Sequence, residues 1–194
     1  MSETNRLFAQ SWLSGRPTDP AQVSTTIDEC ADVFRYLSDN LPSCFKSSIA
    51  QVQRNLSTLL SEEYPVVLTH GDLNEMNILV DPVSGRITGV VDWAEASFYP
   101  FGFALYALDN ALGGMGPNGW KYFLNSDYLR DELWSIFCKL VGGLSEERME
   151  SIRLARVAGL LIRYGTPYDR GRFGGMVGVR DPSDVSLRYL DALL

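Results

Sequence analysis

Between two stretches of helical periodicity the chain carries short β-branched runs, VVLT at 66–69, NILVD at 77–81 and RITGVVDW at 86–93, parted by turn residues such as PVSGR. This change of period limits the fold to a helical body with a small sheet set into it. On the N-terminal side, apolar residues recur at Val23, Ile27, Cys30, Phe34, Leu37 and Leu41 in steps of four and three, which predicts a helix closed by Pro42. A second stripe at Phe45, Ile49, Val52, Leu56 and Leu59 predicts another helix ending near SEEYP. Two antiparallel helices are the simplest arrangement. Past Phe101 the helical pattern returns in FGFALYALDNAL, SDYLRDELWSIFCKLVG and SEERMESIRLARVAGLLIRYG, with Ser126 or Asp127 and Ser145 as N-caps, and ends in DPSDVSLRYLDALL. No internal repeat interrupts the pattern. The reading is a single domain over residues 1–194, with 1–20 as an N-terminal segment and linker (the Pro- and Gly-punctuated SGRPTDPAQ) and 21–194 as the core.

Charge and cysteine content narrow the function classes. A net charge of -7 disfavours non-specific binding to nucleic acid or an anionic membrane. Cys30, Cys44 and Cys138 show no CxxC spacing, so neither a disulfide framework nor a cysteine zinc site is indicated, and a reducing compartment fits best. The opening MSETNRLFAQSW lacks the basic and apolar regions of a signal peptide, and no apolar run approaches the length of a membrane span. The expectation is a soluble cytoplasmic protein.

The stretch LTHGDLNEMNILVD holds the only histidine of the chain, His70, with Asp72 and Asn77 close behind it. Each alone has a structural explanation: Asp72 as a turn residue, Asn77 as an Asx turn, His70 as a loop cap. The next strand, however, ends in a second acid, Asp92, and a hairpin with strands about 4.8 Å apart brings such ends together. Two acids and an amide then converge.

These residues, in HGDLNEMNILVD and GVVDWAEA, resemble the phosphoryl-transfer core of the aminoglycoside phosphotransferase and choline kinase-like families, relatives of the protein kinases, whose pattern is H-G-D-x-x-x-x-N followed by a strand and I/V-D-W. The resemblance implies an α+β, mainly helical fold: the C-terminal lobe of the protein kinase-like fold, with a small β-hairpin carrying the catalytic loop. In such chemistry the protein positions groups and neutralises charge. The resemblance implies Asp72 as the base that accepts the hydroxyl proton, His70 as its companion in the catalytic loop, propping it by packing and hydrogen bonds, and Asn77 and Asp92 as magnesium ligands. Glu95 could reach substrate or metal, or be a solvated carboxylate. The implied substrate is a small molecule, cationic or polyhydroxylated given the acids of the cleft.

A kinase also needs a glycine-rich loop and a lysine strand ahead of the catalytic loop. Residues 1–69 read as helices and hold one lysine, Lys46, on a helical stretch, so the nucleotide lobe is absent from this sequence and no residue is assigned to ATP. GMGPNG at 114–119 formally matches GxGxxG, but it follows a helix and contains Pro117, so it is read as a plain loop. SDN at 38–40 and SCFK at 43–46 imitate penicillin-binding motifs in the wrong order, and RFGGMVG at 172–178 is read as a linker. Two functions follow. Either the chain is the catalytic and acceptor-binding half of a magnesium- and ATP-dependent phosphotransferase, its nucleotide lobe lost by truncation or supplied by a partner chain; or it is a repurposed lobe, binding a small molecule or using Asp72 and His70 for acid-base chemistry.

Overall fold

A computed structural model of the chain describes residues 3–15, 20–166 and 185–194. In chain order its elements are α1 (Glu3–Leu13), α2 (Pro20–Asn40), a 3-10 turn (Ser43–Phe45), α3 (Lys46–Leu59), β1 (Val66–Thr69), β2 (Ile78–Val80), β3 (Ile87–Val90), β4 (Ser97–Pro100), α4 (Tyr106–Leu112), β5 (Gly113–Gly116), β6 (Gly119–Tyr122), α5 (Ser126–Leu140), α6 (Glu146–Gly165) and α7 (Val185–Leu193). The fold is mixed α+β and 59% helical, with small antiparallel sheets. Among the described residues no helix is long and apolar enough to cross a membrane.

The helical stripes do what their spacing requires. Cys30, Phe34, Leu37 and Leu41 of the first stripe and Ile49, Val52, Leu56 and Leu59 of the second are buried, and α2 packs on α3, which packs in turn on α6. The side chains of Val23 and Ile27 lie outside the described residues, as does RFGGMVG. Helix α1, expected as a segment ahead of the core, is part of it: Phe8 and Ala9 are buried, and Trp12 sets its ring edge-on to Tyr64, Phe101 and Phe137. The core therefore begins before residue 21.

Where the sheet differs from expectation, long-range pairing is the cause. PVSGR does turn a hairpin, β2–β3, with Ile78 opposite Val90. The strand before HGD does not join it: β1 pairs with β4, Val66 opposite Pro100 and Thr69 opposite Ser97, and the Thr69 hydroxyl donates to the Ser97 carbonyl at 3.0 Å. The catalytic-type loop thus runs between two separate two-stranded sheets instead of sitting in one hairpin. GMGPNG is likewise not a plain loop. It forms the tip of the β5–β6 hairpin, with Gly116 opposite Gly119 across the turn at 117–118, and the Trp120 indole covers Gly113. Helix α5 starts after Asn125, not at Ser126 or Asp127 as its cap, and Asn125 makes no side-chain capping bond. Ser145 caps α6 as expected, accepting from the Arg148 N–H at 3.2 Å. FGFALYALDNAL is helical only from Tyr106; residues 101–105 form turns, such as the Leu105 N–H bond to the Gly102 carbonyl at 2.9 Å.

Helix α6 organises the C-terminal half. Asp109, buried on α4, is held by Arg156 of α6 at 2.8 Å and by Arg130 of α5 at 3.9 Å, and Arg156 also donates to the Leu193 carbonyl at the end of α7. Burial pushes the Asp109 carboxyl upward in pKa, while the adjacent Arg156 acts in the opposite direction. Gly159 lets α6 close on the turns before α4, since a Cβ there would come within 2.0 Å of the Phe103 carbonyl oxygen. Gly159→Ala is therefore expected to destabilise the protein by about 1–3 kcal/mol by overpacking, despite alanine's better helix propensity. Gly114, with nothing within 4 Å of its would-be Cβ, is the control. Urea denaturation of both alanine variants checks this: a Gly159→Ala protein as stable as Gly114→Ala contradicts the packing.

Candidate active site

The loop from His70 to Asn77 is anchored at both ends and in its middle. At its start, His70 is 4% exposed, and its Nε2 lies 2.7 Å from the Val91 carbonyl. A carbonyl can only accept, so Nε2 carries a proton and donates. The imidazole also packs on Trp93, ring centres 4.8 Å apart. Gly71 follows in the left-handed region at φ 80°, and a Cβ there would lie 2.3 Å from the Glu95 carbonyl oxygen. Glycine is the residue that meets both demands, and it lets the HGD loop lie directly on the DWAE loop.

In the middle, Tyr106 of α4 reaches the loop with its hydroxyl, donating to the Gly71 carbonyl at 2.8 Å and accepting from the Leu73 N–H at 3.3 Å. Burial pushes this phenol up to about 12, so it keeps its proton and its role as donor. Both peptide neighbours of Asp72 are thereby tied to the helical core. At the end, the Asn74 side chain accepts from Met76 N–H and donates to the Asp72 carbonyl, and the Asn77 amide nitrogen donates to the same carbonyl at 2.9 Å. The Asx-turn alternative for Asn77 belongs instead to Asn74.

Of the residues singled out by sequence, Asn77 and Asp92 are brought together by the β2–β3 ladder. The Val91 N–H donates to the Asn77 carbonyl at 3.0 Å, one residue before Asp92. With its nitrogen committed to Asp72, the Asn77 amide leaves Oδ1 without a partner among the described residues. Asp92 is exposed and sits at φ 63°, ψ 62°, the one non-glycine with positive φ among the described residues, and its carboxylate makes no capping bond. Such a conformation costs of order 1 kcal/mol or more in a residue other than glycine. The Glu95 side chain is exposed beside it.

Asp72 itself holds a partner that the sequence did not disclose. Its Oδ1 accepts from Nη2 of Arg163 on α6, and the guanidinium lies over the Tyr106 ring, 5.6 Å from its centre. A cavity of about 90 Å³ lies behind the loop between α1 and β1, touching Phe8, Val67, His70, Leu73 and Trp93; neither Asp72 nor Asp92 lines it. Sequence reading missed Tyr106 and Arg163 for the same reason: they stand 33 residues from Leu73 and 91 from Asp72, on helices whose patterns showed only their apolar faces.

Residues 3–109, more than half of the chain and all of this loop, match the model of the phosphotransferase enzyme family. The chain belongs to that family. No curated protein matches it. The family's phosphotransferase character accords with a loop whose polar groups are oxygen-rich and whose backbone is held from several elements.

Because His70 is the only histidine, its tautomer can be read without assignment. The two-bond ¹H–¹⁵N spectrum of labelled protein is expected to show the Nε2-protonated form, and Val91 hydrogen bonding predicts slow exchange of that proton. A predominantly Nδ1-protonated ring contradicts the geometry. Tyr106→Phe removes two hydrogen bonds to the loop and is expected to cost about 1–3 kcal/mol in urea denaturation.

Proposed function

We propose that the chain is the catalytic and acceptor-binding part of a small-molecule O-phosphotransferase, equivalent to the C-terminal lobe of a kinase-like fold, which works with a nucleotide lobe supplied by a further segment or a partner chain. The observation that carries this reading is the placement of Asn77 and Asp92 side by side at the end of the β2–β3 ladder, next to the loop that presents Asp72.

Asp72 receives the acceptor hydroxyl. With Oδ1 engaged by Arg163, Oδ2 is the oxygen left to take the hydroxyl's hydrogen bond and then its proton. The donor set suits magnesium, a hard cation that takes oxygen ligands, keeps waters, and is commonly held by one or two carboxylates together with substrate phosphates. Asn77 Oδ1 and the Asp92 carboxylate are the residues that would hold it. Magnesium bound there would neutralise phosphate charge. For ATP no fit is found among the described residues: the glycine-rich turn at the β5–β6 tip comes after the catalytic-type loop in the chain, and Lys46 lies on α3. No step is therefore assigned to nucleotide-binding residues.

The alternative acid-base enzyme needs His70 as a proton carrier. Its burial and its bond to Val91 make it a prop for the loop instead.

Two measurements test the reading. Calorimetry on this chain is expected to give a MgATP dissociation constant of about a millimolar or weaker; micromolar binding would overturn the need for a separate nucleotide lobe. In a screen of hydroxylated small molecules with labelled ATP, Asp72→Asn is expected to lower any transfer by about 10²–10⁴-fold with the fold retained. Asn77→Ala and Asp92→Ala are both expected to lose activity and alter its magnesium dependence. An activity indifferent to chelator and to either alanine variant sinks the phosphotransferase reading in favour of an acid-base enzyme.

A further inference from the structure

We propose that Arg163 is the positioning residue for Asp72: it selects which carboxylate oxygen faces the acceptor, and it supplies the compensating positive charge from α6. The inference rests on the phosphotransferase reading above. A carboxylate on a loop has a rotatable side chain, so fixing the loop backbone does not fix its oxygens. Tyr106 holds the backbone on either side of Asp72, through the Gly71 carbonyl and the Leu73 N–H. Arg163 holds the side chain, through Nη2 to Oδ1.

The two anchors are one unit, because the guanidinium also lies over the Tyr106 ring at 5.6 Å, where attraction between cation and ring face favours its placement beside Asp72. Neighbouring contacts hold the end of α6 in place. Tyr164 donates to the Asn110 side chain of α4 at 3.2 Å and stacks on Tyr189 of α7, ring centres 4.8 Å apart. The Arg163 side chain is 28% and the Asp72 side chain 33% exposed, so the pair borders solvent and remains reachable by an acceptor. A pair so placed contributes little to stability, which leaves orientation as its main effect. Lysine could supply the charge but not the planar fork, so Arg163→Lys should restore part of the function and Arg163→Met none of it.

The experiment has two arms on the full chain. In the first, side-chain NMR of ¹⁵N-labelled protein resolves the Arg163 Nη signals, identified by their loss in Arg163→Lys; slow guanidinium rotation is expected, and Asp72→Asn should release it. In the second, phosphate release with water as acceptor is followed over MgATP concentrations reaching well above the dissociation constant of about a millimolar expected for this chain. Arg163→Met is expected to lower kcat about 10–100-fold with the KM for MgATP nearly unchanged, and to cost nothing further on the Asp72→Asn background, because residues acting as a unit are not additive. Freely rotating guanidinium in the wild type, an unchanged kcat in Arg163→Met, or an equal loss in both backgrounds overturns the inference. A freely rotating wild-type guanidinium or turnover indifferent to Arg163 removes only this inference, whereas turnover indifferent to chelator and to Asn77→Ala or Asp92→Ala removes the phosphotransferase reading and this inference with it.

Discussion

The hydroxyl of Tyr106 is the point through which the helical body controls the loop. One buried oxygen, donating to Gly71 and accepting from Leu73, turns a flexible connection between two small sheets into part of the core. Neither sheet could do this alone, since two-stranded ribbons of three or four residues are marginal in water without packing against helices. Around that anchor the other contacts become consistent. The Gly71 backbone can rest on Glu95, His70 can reach Val91, and Asn77 can close on the Asp72 carbonyl.

Charge in the site is more balanced than a count of its acids suggests. Asp72, Asp92 and Glu95 together point to a negative cleft suited to cations, yet the first of them is paired with Arg163. The exposed negative charge is then concentrated on the side of Asp92 and Glu95, while Asp72 sits in a compensated pair. Asp109 follows a different logic. Its carboxylate is buried, and Arg156 and Arg130 offset the cost of burying it while joining α4, α5, α6 and the end of α7. Removing one partner of such a pair is costly because the other is left uncompensated.

Much of the architecture was legible because it depends on neighbours in sequence. The stripes through Cys30–Leu41 and Ile49–Leu59 bury the residues their spacing selects, PVSGR turns its hairpin, and Ser145 caps its helix. The errors fall where a distant element overrides local preference. Glycines at 113, 114, 116 and 119 argue against strands, but Trp120 folds over Gly113 and packs on Tyr189, and that burial supports the β5–β6 pairing. Asn125, rather than the better-looking Ser126 or Asp127, precedes the first turn of α5, and two residues before it the Phe123 N–H is bonded to the Leu112 carbonyl at the end of α4.

By itself the sequence determined the helical stripes, the β2–β3 hairpin, the family, and the identity of the polar residues in and beside the loop: His70, Asp72, Asn77 and Asp92 stand within 23 residues, where spacing and turn chemistry are informative. Tertiary structure alone decided that β1 joins β4, that His70 faces inward as a prop, and that Asp72 is held by Arg163 from a helix 91 residues away. Periodicity records which face of a helix is apolar. It carries no record of which polar residue on that helix will meet a particular loop, because that meeting depends on the packing angle of the helices and on close approaches such as the one Gly159 permits.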